Sequence, residues 1–227
     1  MENLLENNCI NIINSFQIYN DEFEKFFLEN NIVSKKYAIH EKIDKTGDNI
    51  IKYIHKGNVK IYYTNYNGDE IFAGYLPRHS IYFHTSVLPF LDKYSVANEE
   101  TEIFYCLKQD FLKFISEKAD RMQHVMQEPY YRRNLNELPY YETMNRSTTF
   151  KVSYYIYYLA IRFGVSEAGG GVTIYYPPMN KDIASFYGIS SNNVSSVMAK
   201  LKKDGTLKKE KDKLIVTDLK KLEKMLE

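Results

Sequence analysis

Residues 180–203 read NKDIASFYGISSNNVSSVMAKLKK, which is the pattern of two short helices joined by a sharp turn. The apolar face of the first helix is formed by Ile183, Ala184 and Tyr187. Gly188 follows that helix, and glycine adopts positive φ without a steric cost. Ala184 has the small side chain that is needed where two helices touch. The spacing therefore predicts a pair of crossing helices.

The second helix presents two different faces. Val194, Val197 and Leu201 face inward, and Ser190 or Ser191 is the predicted N-cap. The outer face carries short polar side chains followed by lysines. Asn side chains can bond adenine N6 and N7, and lysines can neutralise phosphates. The predicted DNA-contacting residues are Asn180, Ser191, Asn192, Asn193, Ser195, Ser196, Lys200, Lys202 and Lys203.

The sequence on both sides extends this helix pair. Asp204-Gly205 is a predicted turn into Leu207–Val216, a basic segment with the pattern of a two-stranded wing. Upstream, we expect a helix from about Ser147 to Phe163 that ends at Gly164. Its inward face is predicted to contain Val152, Ile156, Leu159 and Phe163.

A glycine run and a pair of prolines bound the next segment. Gly169–Gly171 precede a predicted strand at Val172–Tyr176, which Pro177-Pro178-Met179 ends. Asn180 then follows as the predicted N-cap of the first crossing helix. An ordinary helical hairpin with a solvent-exposed polar face is the alternative to a DNA-binding helix pair, and the adjacent wing argues against it.

Charge is unevenly distributed along the chain. Residues 147–227 contain 13 Lys/Arg and 8 Asp/Glu, a formal charge of +5, although the net charge of the whole chain is +1. The preceding part therefore carries −4. A basic C-terminal end is what a DNA-binding module attached to another domain requires, although many lysine-rich surfaces bind nothing.

The region from about Lys36 to Leu107 has the pattern of an antiparallel β-roll. Short runs rich in Ile, Tyr, Val and Phe alternate with turn residues. Two strands within residues 50–63 meet at Gly57, and Asn67-Gly68 predicts a hairpin turn before Glu70–Leu76. A short helix is expected at Asp21–Asn30.

Helical spacing resumes after Lys108 and continues to about residue 145. Pro129 and Pro139 lie in this region, and an interior proline costs about 3 kcal/mol, so we expect a kinked or segmented connector. Met122, Val125 and Met126 are the predicted dimerisation residues. The fold class is thus α+β: a β-roll at 1–116, a connector at 117–146 and a winged helix-turn-helix at 147–227.

Composition restricts the class of protein. Two cysteines, Cys9 and Cys106, cannot form a disulfide framework, and no secretory signal pattern precedes the first helix. No apolar stretch approaches the roughly 20 residues of a membrane span. We expect a cytoplasmic protein without a membrane partner.

With this order of elements, the chain resembles the Crp/Fnr family of transcription regulators over about residues 30–225. The resemblance is carried by Gly47–Leu76, by the segment TFKVSYYI from Thr149, and by Met179–Val216. It implies a cyclic-nucleotide-binding-like β-roll and a dimerising central helix. It also implies two recognition helices in successive major grooves of a pseudo-palindromic site in double-stranded DNA. RNA polymerase is a further candidate partner.

The sequence departs from the cyclic AMP-binding members of that family. Those members have a Gly-Glu pair and a later Arg-Ser/Thr-Ala motif. Residues 78–84 lack the pair, and residues 91–96 lack the arginine. Lys93 offers a charge there but no bidentate fork. We therefore expect a small-molecule effector other than a cyclic nucleotide, or none, in a pocket lined by Tyr62, Tyr75, Tyr82, Phe83 and Lys93.

The chain also lacks the cysteine cluster of the iron–sulfur branch, so no such cluster is expected. A redox switch between Cys9 and Cys106 is one hypothesis, and two inert buried thiols are the other. The recognition helix has SNNVSS where the family often has Arg-Glu-Thr-Val-x-Arg. Because arginine makes the strongest guanine contacts, an A/T-leaning operator is expected.

Enzymatic alternatives find no support in the motifs. His79 and His84 are five residues apart, which does not fit the His-x-His pair of a cupin metal site. We interpret these two and His40, His55 and His124 as surface or core residues, and we expect no metal and no catalytic site. A non-DNA-binding sensor or protein-interaction module remains the alternative function.

Overall fold

The computed structural model of the chain describes residues 20–83, 92–167 and 170–226. The chain divides into two compact units, Met1–Asn136 and Glu137–Glu227. Each unit has its own sheet structure and its own core.

The first unit is a β-roll, as the sequence predicts. Its strands are β1 Val33–Tyr37, β2 Ile50–Lys56, β3 Val59–Thr64, β4 Glu70–Leu76, β5 Ile81–Phe83, β6 Asp92–Ala97 and β7 Thr101–Leu107. They form two antiparallel sheets, one in the order β1-β7-β2-β5 and one in the order β4-β3-β6. The two turns predicted from glycine are confirmed: Gly57 joins β2 to β3 with φ 82°, and Gly68 joins β3 to β4 with φ 85°.

Both faces of the four-stranded sheet are buried. On one face, Ile54, Ile103 and Tyr105 belong to the interior of the roll. On the other face, their neighbours in sequence, such as Tyr53 and Phe104, pack against two helices. These helices are α1 at residues 20–30, where a helix was expected, and α2 Lys108–Ser116. Because side chains alternate along a strand, each of β2 and β7 supplies two cores.

Helix α3 runs without interruption through Ala119–Thr143, so of the expected kinked or segmented connector the segmented form is wrong. Proline removes one backbone donor but keeps a φ that suits a helix. The carbonyl oxygen of Pro139 also accepts two side-chain hydrogen bonds, from Thr143 Oγ1 at 2.6 Å and Tyr187 Oη at 3.2 Å. These two bonds tie the Pro139 carbonyl to Thr143 of the same helix and to Tyr187.

The described part of the second unit contains four further helices and a four-stranded antiparallel sheet. Its elements are α4 Thr148–Phe163, β8 Gly164–Ser166, β9 Val172–Tyr175, α5 Asn180–Tyr187, α6 Ser191–Lys203, β10 Leu207–Glu210, β11 Lys213–Val216 and α7 Leu219–Lys224. The sheet order is β10-β11-β9-β8, so the wing hairpin of β10 and β11 continues into β9. The predicted helices and wing are confirmed, whereas β8 and α7 were not foreseen.

The ends of three helices refine the predictions. Ser147 caps α4, and Gly164 ends it as expected, but with φ −76°. The glycine is required there for space, since an added Cβ would lie 2.1 Å from the Ala160 carbonyl oxygen. The N-cap of α5 is Met179 and not Asn180, because Asp182 Oδ2 accepts a hydrogen bond from the Met179 N–H at 3.0 Å. Asn180 is thereby the first helical residue.

Candidate nucleic-acid interface and sensor pocket

A left-handed glycine sets the turn between α5 and α6. Gly188 has φ 62° and ψ 36°, and the next N–H, of Ile189, donates to the Ala184 carbonyl oxygen at 3.0 Å. Ala184 and Ile183 are buried beside this turn. The structure therefore has the positive φ that the sequence predicted at Gly188 and the buried small residue that it predicted at Ala184.

Helix α6 separates its buried and exposed residues cleanly. Ser190 is its N-cap, and its side chain accepts hydrogen bonds from the N–H groups of Asn192 at 3.2 Å and Asn193 at 3.4 Å. The buried residues of the helix are Val194, Val197, Met198 and Leu201. All eight predicted contact residues on this helix are exposed. The exposed face of the helix is thus polar except for Ala199, and the opposite apolar face is buried.

The ninth predicted contact residue has a different position. Asn180 is half-buried at the start of α5, and its Nδ2 donates to Ser195 Oγ at 2.9 Å. This bond links the beginning of the first crossing helix to the exposed face of the second. Asn180 is therefore placed to orient the Ser195 hydroxyl.

Basic side chains continue from α6 into the wing. Lys200, Lys202 and Lys203 occupy the last turn of α6, where a cation also favours the helix dipole. Beyond them, Lys209 and Lys211 are exposed in the hairpin. The sequence indicated a basic wing, but these two residues were not among the predicted contacts. The lysine-rich run LKKEKDK at residues 207–213 could have identified them. The turn of the hairpin lies at residues 211–212 of this run.

An acidic residue fixes the junction of α6 and the wing. Asp204 Oδ1 accepts hydrogen bonds from the Thr206 N–H at 3.0 Å and from Thr206 Oγ1, and these bonds hold the pKa of Asp204 below its usual range. Lys221 Nζ lies 3.6 Å from the same oxygen and also donates to the Asp204 carbonyl at 2.8 Å. The wing therefore leaves the helix in a defined direction.

The residues predicted for an effector pocket fall into two groups in the β-roll unit. Tyr62 stacks on Tyr94 at 5.2 Å and contacts Phe72, which also contacts Tyr75. Tyr62 and Tyr75 are thus parts of a buried aromatic cluster. The two tyrosines fill space there.

Tyr82 and Lys93 belong to the second group. They line one pocket inside the roll, together with Lys52, Tyr94 and Ser95 among others. Phe83 ends β5, and its side chain lies outside the described part of the chain. Lys52 was not foreseen, because a lysine between isoleucine and tyrosine in a strand is normally assigned to the solvent-facing side.

The predicted dimerisation residues are spread over two faces of α3. Met122 and Met126 are 44% and 73% exposed, and Tyr130 continues their stripe at 64% exposed. Val125 instead packs against the aromatic core between α1 and the sheet. An apolar stripe with a spacing of four residues is thus open on this helix.

Titratable groups elsewhere show no catalytic arrangement among the described residues. No three His, Cys, Asp or Glu side chains of this part of the chain come together as metal ligands. Cys106 is buried and its pKa is raised to about 11, mainly by desolvation, which suits an inert thiol. Cys9 and His84 lie outside the described residues. In the described helices, none is long and apolar enough to span a bilayer.

Comparison with known families identifies the C-terminal unit. Residues 151–225 match the family of the Crp-like helix-turn-helix domain. This match covers most of α4 and all of the crossing helices, the wing and α7. No curated protein sequence matches the chain significantly.

Several solved structures share the fold over most of their length. A CooA mutant from Carboxydothermus hydrogenoformans is 19% identical, with 86% of this chain and 88% of that chain covered and a TM-score of 0.66. A CRP-family transcriptional regulator from Thermus thermophilus is 14% identical, with 85% and 96% covered and a TM-score of 0.66. CprK complexed with OCPA is 19% identical, with 90% and 93% covered and a TM-score of 0.59. The resemblance to the Crp/Fnr regulators is confirmed at the level of the fold.

Proposed function

We propose that this chain, which carries a Crp-like helix-turn-helix domain at residues 151–225 and has the fold of the Crp/Fnr regulators, is a transcription regulator that binds double-stranded DNA as a homodimer. The β-roll is its sensor, α3 its dimerisation helix and residues 147–227 its DNA-binding domain. The observation that carries the proposal is α6, a capped helix with one apolar face buried and one polar face fully exposed.

The chemistry of the exposed face suits the major groove. Asn192 and Asn193 can pair with adenine edges, and the serines can bond bases or phosphates. The face has no arginine, which is the side chain best suited to guanine. We therefore propose an A/T-leaning operator, which selection of bound duplexes from random DNA tests directly. A G/C-rich selected core would contradict this part of the proposal.

Lysines supply the attraction to the backbone. Lys202 and Lys203 at the end of α6 and Lys209 and Lys211 in the wing can each neutralise a phosphate. Binding should therefore weaken steeply as salt rises from about 50 to 200 mM, because each contact releases counterions. Fluorescence anisotropy with a labelled duplex measures this slope. Salt-insensitive or absent DNA binding would instead favour a protein-interaction module.

Two classes of substitution separate base contacts from phosphate contacts. Asn192→Ala or Ser196→Ala should weaken the selected operator more than random DNA, by about 1–3 kcal/mol for a lost base contact. Lys202→Ala should weaken both duplexes alike and reduce the salt slope by about one. Lys36→Ala, an exposed lysine of β1, is the matched control and should change neither. Equal losses from all the DNA-binding variants would mean that α6 does not contact the bases.

Dimerisation is proposed to use the open stripe on α3. Burying Met122, Met126 and Tyr130 against the same stripe of a second copy would remove apolar surface from water. Met126→Glu should shift the protein toward monomer in sedimentation velocity, whereas Gln127→Glu, an exposed neighbour on the same helix, should not. An unchanged dimer in the Met126 variant would place the interface elsewhere.

A further inference from the structure

One side-chain hydrogen bond joins α5 to the exposed face of α6. Asn180 is the first residue of α5, and its Nδ2 donates to Oγ of Ser195 in α6 at 2.9 Å. The start of α5 is itself fixed, because the Met179 N–H donates to Asp182 Oδ2 at 3.0 Å. Asn180 is half-buried, whereas Ser195 is exposed. The bond therefore connects a fixed helix start to the face that is proposed to contact bases.

The direction of this bond determines what the Ser195 hydroxyl can do. A serine hydroxyl has one proton and two lone pairs, whereas an amide nitrogen can only donate. A lone pair of Ser195 Oγ therefore points at Asn180, and the hydroxyl proton points elsewhere. Among the described residues, no protein atom accepts a hydrogen bond from Ser195 Oγ. The proton is thus left for an acceptor outside the protein.

The neighbours of Ser195 place its hydroxyl on the proposed reading face of α6. Ser195 follows Ser191 by four residues and Asn192 by three, so the three side chains are neighbours on the helix surface. All three are exposed, while Val194 and Val197 are buried and hold the rotation of the helix. A hydroxyl that accepts a hydrogen bond is also polarised into a stronger donor. Ser195 thus offers a donor on the face where base contacts are proposed.

We propose that Asn180 is a positioning residue that makes Ser195 a hydrogen-bond donor to one base of the operator. The inference rests on the proposed DNA-binding function and assigns a base type within that site. In the major groove, thymine O4 and guanine O6 accept hydrogen bonds, whereas the amino groups of adenine and cytosine donate them. A donating Ser195 therefore selects a keto base, which in an A/T-leaning operator is thymine.

The substitution Asn180→Asp reverses the polarity of the pair. A carboxylate is ionised at neutral pH and only accepts, so the Ser195 hydroxyl would donate to it and present only lone pairs to the DNA. The preferred base at that operator position should then change from thymine to adenine or cytosine, because these two bases present amino donors. Helix α5 should still form, because a carboxylate in the first turn of a helix is favourable.

The test is selection of duplexes from random DNA by the full-length protein, followed by titration of matched duplexes. Ser195→Ala should lose the base preference at one position of each half-site, and Asn180→Asp should reverse it there. The ratio of affinities for thymine and adenine at this position should change by about three- to tenfold. The added negative charge repels both duplexes alike and cancels in the ratio. Asn145→Asp, at an exposed residue between α3 and α4, is the matched control and should keep the wild-type preference.

Two further proteins separate positioning from a direct contact. Asn180→Ala should relax the preference between thymine and adenine without reversing it, because the hydroxyl can then rotate freely. In the double variant of Ser195→Ala with Asn180→Asp, the base preference should be that of Ser195→Ala alone, since no hydroxyl is left to orient. A preference for adenine in the double variant would mean that the carboxylate itself contacts the base, which would overturn the proposal.

The pair also has a readout that needs no DNA. In NMR spectra, the side-chain amide protons of Asn180 should shift more in Ser195→Ala than in Ser196→Ala, and equal shifts would overturn the pairing. If the wild type selects an operator and Asn180→Asp keeps the same base preference, the role of Asn180 is overturned while DNA binding stands. If the amide shift is found and the wild type binds no duplex, the proposed function fails, and the base assignment with it, while the pair stands.

Discussion

Asn136 of α3 pairs with the backbone of Tyr75 in β4 through both ends of its side-chain amide. Its Nδ2 donates to the Tyr75 carbonyl oxygen at 3.0 Å, and the Tyr75 N–H donates to its Oδ1 at 3.4 Å. The amide therefore occupies the place of a further strand at this point of the sheet. Gly74, with φ 116°, leaves room for it, since an added Cβ would lie 2.6 Å from Asn136 Cγ.

Replacing Asn136 should destabilise the β-roll unit. Asn136→Asp exchanges a donor for an acceptor opposite a buried carbonyl, so we expect a loss of about 1–3 kcal/mol in the free energy of unfolding. Urea denaturation followed by circular dichroism measures it. Asn134→Ala, an exposed change on the same helix, is the control and should cost less than about 0.5 kcal/mol. Equal stabilities of the two variants would show that the pairing contributes nothing.

Acid should destabilise the protein through His124. Burial, assisted by the charge of Arg132, lowers the pKa of His124 to about 4 in the folded chain. The unfolded state therefore takes up the proton first, and stability is lost as the pH falls from about 6.5 to 4, by about 3 kcal/mol at most.

The variant His124→Phe keeps a ring beside Phe23, which lies 5.1 Å from the imidazole, and removes the titration. The stability difference between wild type and this variant should shift in favour of the variant over that pH interval. His40→Asn, at an exposed histidine, should follow the wild type. A pH-independent difference for His124→Phe would contradict the burial of a neutral imidazole.

Gly164 should tolerate no side chain. An added Cβ would lie 2.1 Å from the Ala160 carbonyl oxygen and 2.2 Å from Val172 Cγ1, so Gly164→Ala should cost up to about 3 kcal/mol. Gly205→Ala meets no atom within 4 Å but has φ 77°, so it should cost about 1 kcal/mol through backbone strain alone. Thermal unfolding of both variants shows which one loses more stability. A larger loss in Gly205→Ala than in Gly164→Ala would contradict the contact geometry.

Another side chain with an acceptor oxygen should be able to replace Ser190 as the N-cap of α6. Ser190→Ala removes the acceptor for the N–H groups of Asn192 and Asn193 and should cost about 1 kcal/mol. Ser190→Asp restores an acceptor and should recover most of the loss. Chemical denaturation compares the three proteins. Failure of aspartate to rescue the alanine variant would mean that the serine acts by another contact.

The features that the sequence predicted are those set by local chemistry. Gly57, Gly68 and Gly188 each occupy a turn with positive φ, and alternation or helical spacing identified the strands and helices around them. Lys52 was missed because its burial depends on Tyr82 and Tyr105, which strand pairing brings to it from distant parts of the chain.

The same distinction between local and distant partners applies to one of the two corrections. The proline rule is local and predicted a kinked or segmented connector, whereas the hydrogen bond from Tyr187 to Pro139 comes from 48 residues away. The N-cap of α5 moved by one residue because the Asp182 carboxylate accepts a hydrogen bond from the Met179 N–H, which makes Met179 the cap. The partner of Pro139 is distant in sequence, whereas the bond between Met179 and Asp182 is local and has the three-residue spacing of a capping box.

The separation of faces on α6 has a consequence for how this protein can diverge. Val194, Val197 and Leu201 hold the helix in place, and of the outward side chains Ser195 is joined to another helix, by Asn180. Mutations at Asn192, Asn193 or Ser196 can therefore accumulate without a folding penalty. After duplication, a copy could acquire new target genes through a few such changes while its scaffold stays under unchanged selection.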